Sequence, residues 1–276
     1  GACACGWLAD RLGRRVLLIV SAFIFLSSAI LTGAFNTFDA FLAARFFGGI
    51  GIGIASGLSP MYIAEVAPTP VRGKLVALNQ MTIVAGILAA QIVNWRIAQP
   101  IPEGFTPDDI MNSWNGQMAW RWMFWAAALP AAVFLLLAFF IPESPRWQAL
   151  RDRRQEARDT LARIGGTDYA DAEMLAIETA NARTARQGGA GILLSRQFRK
   201  VLLLGLFIAV FQQWCGTNVI FNYAQEIFQS AGYSIGDVLF NIVVTGIANV
   251  IFTVVAICVV DKLGRRRLML MGAGGL

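Results

Sequence analysis

Six blocks of nearly uninterrupted apolar residues, each long enough to cross a bilayer, constrain this chain more than any other feature. They run roughly over residues 16–35, 41–64, 75–97, 122–141, 201–228 and 238–260. A helix needs about 20 mostly apolar residues to span the hydrocarbon core, and helices keep their backbone hydrogen bonds inside the segment. The chain therefore reads as an all-α membrane protein. Composition agrees where it matters: with 57% hydrophobic and 14% charged residues, there is too little polar material to cover a soluble domain.

The connections fall into two sets. Stretches 6–15, 68–74, 143–200 and 261–267 are rich in Arg and Lys, whereas 36–40, 98–121 and 229–237 hold almost none. Basic loops stay on the cytoplasmic side, so this alternation sets the orientation. It also explains the net charge of +6 without a nucleic-acid partner, because the cations flank apolar blocks and do not form one phosphate-binding face.

An internal repeat gives the organisation. Asp10-Arg11-Leu12-Gly13-Arg14-Arg15 recurs as Asp261-Lys262-Leu263-Gly264-Arg265-Arg266. Six spans separate the copies, an even number, so both lie on the cytoplasmic face of a duplicated six-helix unit. On this plan residues 1–15 form a cytoplasmic loop motif and 16–141 hold four helices of the N-terminal half. Residues 142–200 form a cytoplasmic linker, 201–260 the first two helices of the C-terminal half, and 261–276 the repeated motif with the start of another helix. The chain is expected to be an internal piece: it opens without Met and closes in a short apolar run. In the linker, Leu150, Ala157, Leu161 and Ile164 recur at helical spacing among charges, Ser144-Pro145 is a helix start, and Gly165-Gly166 is a stop.

Chemistry-bearing residues are scarce. There is no His, so neither a nucleophile–base pair nor a metal set can be assembled, and no enzyme, cofactor or metal is expected. Cys3, Cys5, Cys215 and Cys258 are scattered and read as small apolar residues. Gly49, Gly53 and Gly57 recur at four-residue intervals, a pattern that lets a neighbouring helix approach closely. Polar residues inside spans are costly and therefore informative. Gln80, Gln91 and Asn94 share a face of one helix, because steps of 11 and 14 residues each return a 3.6-residue helix almost to its starting angle. Asn218, Asn222 and Gln225 share another, and Asn241, Thr245 and Asn249 form a third row. Neutral amides donate and accept, which suits a polyhydroxylated ligand. The one cation at depth is Arg45.

These residues resemble the sugar porters of the major facilitator superfamily. The resemblance rests on Gly6 to Arg15, on Arg45 with Gly48, Gly49, Gly51 and Gly53, and on Pro60 to Pro68 followed by Arg72-Gly73. It continues with Pro142-Glu143-Ser144-Pro145-Arg146-Trp147 and with Phe211-Gln212-Gln213, Gly216 and Asn218. It implies a major facilitator fold of 12 helices, of which this chain covers about the third to the eighth. It implies sugar contact at Gln80, Gln212, Gln213, Asn218 and Asn249, while Gln91, Asn94, Asn222, Asn241 and Thr245 read as interhelical bonding. Arg45 would face a carboxylate on the first helix whose protonation couples transport. Asp10, Arg14, Arg15, Glu65, Arg72, Glu143, Arg146, Asp261, Arg265 and Arg266 would form a cytoplasmic gate, with snorkelling to headgroups an alternative for Arg14 and Arg15. Ile87 and Asn222 depart from the pattern, where relatives carry Gln and Tyr.

The expected function is secondary active transport of a monosaccharide by alternating access with proton symport. A uniporting facilitator, a sugar sensor on the same fold and a polyol transporter stay open as alternatives. Expected partners are a sugar, protons and the lipid bilayer. Few Lys against many Arg, and short outer loops without Asn-x-Ser/Thr, place the protein in a bacterial plasma membrane.

Overall fold

The computed structural model describes residues 1–68, 71–99, 106–187, 196–214, 216, 219, 223, 226, 227, 230 and 235–275. Side chains at 3, 107, 181–187, 196–198, 212, 235–237, 260–262, 265 and 275 lie outside the description. All regular structure among the described residues is helical. The chain opens with α1 Ala2–Leu12, α2 Arg14–Ala34, α3 Phe38–Val66 and α4 Arg72–Ile97. The short α5 Pro107–Asn112 and a π-helical turn Asn115–Ala119 lead into α6 Trp120–Ala126 and α7 Ala128–Ala138. Next come α8 Pro145–Leu150, α9 Arg154–Gly165 and α10 Thr167–Gln187, then α11 Arg196–Trp214, α12 Ile235–Leu263 and α13 Arg265–Gly275.

Among the described residues five segments are long and apolar enough to cross a membrane: Arg14–Ala34, Phe38–Val66, Arg72–Ile97, Asn115–Ala138 and Val238–Val259. The sixth expected span, 201–228, begins within α11 and passes into residues outside the description. One expectation is corrected at the start. Residues 6–12, read as loop, belong to α1, and the turn narrows to Gly13. Leu8 and Ala9 explain this: both pack into a core with Cys5, Leu17, Leu18, Ile54 and Leu58, and a helix is what presents them together.

The chain forms two compact units. The first comprises Gly1–Ile83 and Ile92–Glu178. Here α2 meets α3 at Gly48 and Gly51. A Cβ on Gly48 would strike the Ser28 side chain, and one on Gly51 would come 3.0 Å from the Ser21 carbonyl, whereas Gly49 faces open space. Ser28 seals this contact, its hydroxyl donating to the Ala44 carbonyl at 2.7 Å. Gly53 and Gly57 turn towards α1, against Ala2 and Cys5. At the outer end of α2 the last carbonyls have no intrahelical partner. Trp125 Nε1 donates to the Ile30 carbonyl at 3.1 Å, and Arg121 donates to those of Gly33 and Phe35 at 2.7 and 3.1 Å. The linker helices α9 and α10 close on their own small core of Ala157, Leu161, Ala170, Met174 and Ile177. Across that hairpin Arg158 pairs with Asp171 at 2.6 Å, and its hydrogen bond holds the Asp171 carboxyl below its ordinary pKa.

The second unit comprises Val84–Gln91 and Thr179–Leu276. Gly246 of α12 is buried where a Cβ would collide with the side-chain amide of Gln91 on α4. The turn from α12 to α13 repeats the one from α1 to α2: Gly264 has φ 80° and Gly13 φ 90°. The hexapeptide copies thus share a helix–glycine–helix geometry as well as a sequence. Large apolar side chains such as Phe140 and Trp214 stand more than four-fifths exposed, which suits a protein solvated by lipid tails.

Candidate functional site

The densest polar structure among the described residues joins the N-terminal ends of α2 and α8 to the C-terminal end of α3, and it starts from Gly13. A conformation with φ 90° and ψ 163° is open to glycine almost alone. The space its missing Cβ leaves is filled by the Glu143 carboxylate. That carboxylate caps α2: its oxygens accept from the backbone N–H of Arg14 at 2.8 Å, of Arg15 at 3.2 Å and of Ser144 at 2.8 Å. A helix N-terminus has unpaired N–H groups and partial positive charge, so an anion there satisfies both. A Gly13→Ala substitution should be felt twice, through the strained backbone and through displacement of Glu143. Backbone strain alone costs about 1–3 kcal/mol. Thermal melts of the detergent-solubilised full-length protein should fall clearly for Gly13→Ala, and an unchanged midpoint would contradict this account of the turn.

Arg14 is the centre of the second layer. Its Nε and Nη2 donate to the two Glu65 oxygens at 2.9 and 3.0 Å, a bidentate fork. Nη1 donates to the Ala9 carbonyl at 3.0 Å and lies 3.2 Å from Asp10. The Ser144 hydroxyl adds a 2.6 Å bond to Glu65. Arg14 and Glu65 are 5% and 9% exposed, so snorkelling does not describe Arg14: it is a buried, hydrogen-bonded ion pair. Arg15 takes another course, donating from Nη2 to the Phe139 carbonyl at 2.6 Å. Arg72 donates to the Ala67 carbonyl and stands 3.8 Å from Glu173, and Arg146 shares a small cavity of about 90 Å³ with Glu65, Arg72 and Glu173. The structure therefore brings Asp10, Arg14, Glu65 and Glu143 into one network inside the first unit. In the second unit Arg266 is exposed in the first turn of α13, and the side chains of Asp261 and Arg265 lie outside the described residues.

Four partners carried no signal in the sequence for the bonds they make. Ser144 was legible as the N-cap of α8, which it is, accepting from the Trp147 N–H at 3.4 Å, but its bond to Glu65 was not. Trp147 Nε1 and Arg151 Nη2 both donate to the Asp10 carbonyl at 3.0 Å and so close the C-terminal end of α1. Glu173, on the linker, had no sequence signal tying it to Arg72.

Arg45 lies seven residues into α3, or about 10 Å from its N-terminal end at 1.5 Å per residue. Its guanidinium sits 5.0 Å over the Phe124 ring, and Phe41, Trp120 and Phe124 make an edge-to-face cluster around it. Among the described residues no carboxylate pairs with Arg45. Of the proposed sugar contacts, Gln80 is exposed on α4, Gln213 is exposed on α11 and Asn249 is half-buried on α12. Gln212 is on α11 with its side chain outside the described residues, as is Asn218 altogether. Gln91, read as an interhelical bonding residue, packs against Gly246 with its Oε1 buried and unbonded in the described structure. Asn241 and Asn249 accept, through their carbonyls, the hydroxyls of Thr245 and Thr253 on the same helix.

The family described as "Sugar (and other) transporter" matches residues 1–276. The chain is 35% identical to the arabinose-proton symporter of Bacillus subtilis over 97% of its length, covering 56% of that protein. It is 38% identical to the glucose transport protein of Synechocystis over 100% of its length, covering 58% of that protein. The solved structure of the proton:xylose symporter XylE of E. coli bound to 6-bromo-6-deoxy-D-glucose, a major facilitator superfamily protein, is similar with a TM-score of 0.84 at 35% identity. That similarity covers 99% of this chain and 59% of XylE. The chain thus spans a little over half the length of the relatives it matches. With the family matched from end to end and the fold over nearly every residue, the chain belongs to the sugar transporter family of the major facilitator superfamily and is a multi-pass membrane protein.

Proposed function

We propose that the protein to which this chain contributes moves a neutral monosaccharide across the bacterial plasma membrane by alternating access, with proton symport. The observation that carries the proposal is the 35% identity to an arabinose-proton and a D-xylose-proton symporter over almost the whole chain. Two features of the chain support it. The polar residues within the spans are neutral amides and hydroxyls, matched to sugar hydroxyls. Arg45, a cation within the Phe38–Val66 span, would stand near the outer water, where protons arrive. No covalent chemistry is involved; the work is differential binding in two conformations, as coupling requires.

Uptake of radiolabelled pentoses and hexoses into proteoliposomes carrying the full-length protein tests this reading. Accumulation should follow an imposed inward proton gradient and collapse when a protonophore is added. Equilibration without accumulation would mean a uniporter, and no flux of any sugar or polyol would remove the transport reading. Gln80, Gln212, Gln213, Asn218 and Asn249 are the proposed sugar contacts. Losing one neutral hydrogen bond costs roughly 0.5–1.5 kcal/mol, so Gln212→Ala and Gln213→Ala should each weaken sugar affinity about two- to tenfold. Calorimetry that finds both variants binding as the parent does would take these residues out of the site.

A further inference from the structure

A cavity of about 530 Å³ opens between the end of α1, the start of α2, the turn at Pro142 and Glu143, and the linker helices α8 and α9. Its membrane side is apolar, with Leu12, Val16 and Pro142, and its linker side is polar, with Trp147, Gln148 and Thr160. Three guanidiniums, Arg15, Arg153 and Arg163, and three carboxylates, Glu143, Glu156 and Asp159, face it.

An equal count of charges hides an unequal use of them. Every carboxylate is engaged. Glu143 is held by three backbone amides at the head of α2 and in the turn before α8. Glu156 accepts from Arg153 Nε at 2.8 Å, and Asp159 accepts from the Gln155 amide at 3.1 Å. The guanidiniums are not all matched. Arg15 spends Nη2 on the Phe139 carbonyl, and its Nε is buried with no acceptor. A buried donor left unpaired costs about 1–3 kcal/mol, so an acceptor at this side chain is worth supplying. Arg163 has no acceptor among the described residues and borders the same cavity. Glu156 and Asp159 each keep one oxygen without a partner among the described residues, but Arg15 and Arg163 carry donors that no described residue takes, and an anion placed between these two would satisfy them.

The surroundings say what sort of anion. Val16, Val20 and Phe23 are spaced i, i+4, i+7 on α2, and all are exposed. They make an apolar stripe that starts at the cavity wall and runs towards the middle of the bilayer. Phe140, four-fifths exposed, continues the apolar surface from the end of α7. Arginines with a tryptophan at the end of such a stripe mark headgroup depth. We propose that this cavity binds a phosphate-bearing anion between Arg15 and Arg163, supplied as the headgroup of an anionic phospholipid whose acyl chain lies along the Val16–Val20–Phe23 stripe. Neither Arg14 nor Glu65 lines this cavity.

The test uses the full-length protein, purified in mild detergent and stripped of lipid. Native mass spectrometry follows titration with phosphatidylglycerol and, in parallel, with phosphatidylcholine of the same acyl chains; phosphorus NMR follows inorganic phosphate alone. One phosphatidylglycerol should be retained in preference to phosphatidylcholine. Arg163→Glu and Arg15→Gln should each lower that retention about tenfold. Arg163 is exposed, so its variant remains informative if Arg15→Gln folds poorly. Phosphate binding that both substitutions abolish, without lipid retention, would keep the site and assign it to a soluble anion. Equal retention of the two lipids, or retention that neither substitution changes, overturns the proposal.

Discussion

An Arg45→Leu variant of the full-length protein is expected to lose sugar accumulation against a gradient while still exchanging sugar across the membrane. A guanidinium well inside a span costs about 2.5–3.5 kcal/mol at the bilayer centre on insertion scales. The Phe124 ring at 5.0 Å offsets only part of this, since a cation–π contact is worth about 0.5–2 kcal/mol. What remains calls for an anion, and in the proposed mechanism it is a carboxylate on a helix beyond this chain. Arg45 would lower the pKa of that group, and desolvation would raise it. With leucine in place of Arg45 only the raising influence is left, so the carboxyl keeps its proton on both sides of the transport cycle. Sugar can then cross, but no proton is released to draw it inward. One proton per sugar sustains about tenfold accumulation per pH unit, so the internal-to-external ratio should fall to about one. Counterflow of labelled sugar should persist in the same vesicles. Accumulation that survives Arg45→Leu would make the residue structural and remove the main support for symport in this chain.

What the sequence disclosed and what it withheld divide along a physical line. The membrane helices were legible because burial in lipid demands long apolar runs, a property of each segment alone. The repeat of the hexapeptide around Gly13 and Gly264 was legible, but the helix–glycine–helix geometry the copies share was not. Residues 6–12 were misread as loop because their charges outweighed the few positions, Leu8 and Ala9 among them, that pack inward. The glycines of α3 were legible only in part: Gly53 and Gly57 do admit a neighbouring helix, α1, whereas Gly49 does not. Gly48, Gly49, Gly51, Gly53 and Gly57 fit several small-residue spacings, and only the partner helix selects Gly48 and Gly51 for α2. Long-range pairings were hidden entirely. Arg14 and Glu65 are 51 residues apart, and the cap that Glu143 places on α2 spans 129. Resemblance named the members of this network, but their division of labour, with Glu143 on backbone amides and Glu65 on a guanidinium, needed coordinates. The π-helical turn at Asn115–Ala119 left no trace in composition at all.

That division of labour separates the consequences of Glu65→Ala from those of Arg72→Ala. Arg72 and Glu173 are 38% and 26% exposed and 3.8 Å apart, so their attraction is largely screened and worth about 0–1 kcal/mol. Glu65 faces a guanidinium that is 5% exposed. Removing one member of a buried pair strands the other charge, at about 3–5 kcal/mol. Glu65→Ala should therefore lower the thermal midpoint of the full-length protein much further than Arg72→Ala does. It should also free the N-terminal ends of α2 and α8 from the C-terminal end of α3, because Ser144 and Arg14 lose their common acceptor. If this network helps to close the cytoplasmic side, spin-label distances across that face should lengthen in Glu65→Ala. The decisive comparison is the double variant Glu65→Ala/Arg14→Leu. Removing the stranded guanidinium as well should restore part of the lost stability, so the two single losses should sum to more than the double loss. Neighbouring buried partners couple by about 0.5–3 kcal/mol in such cycles. Strictly additive losses would mean that Arg14 is solvated once Glu65 is gone, and the buried ion pair would no longer account for the rigidity of this face.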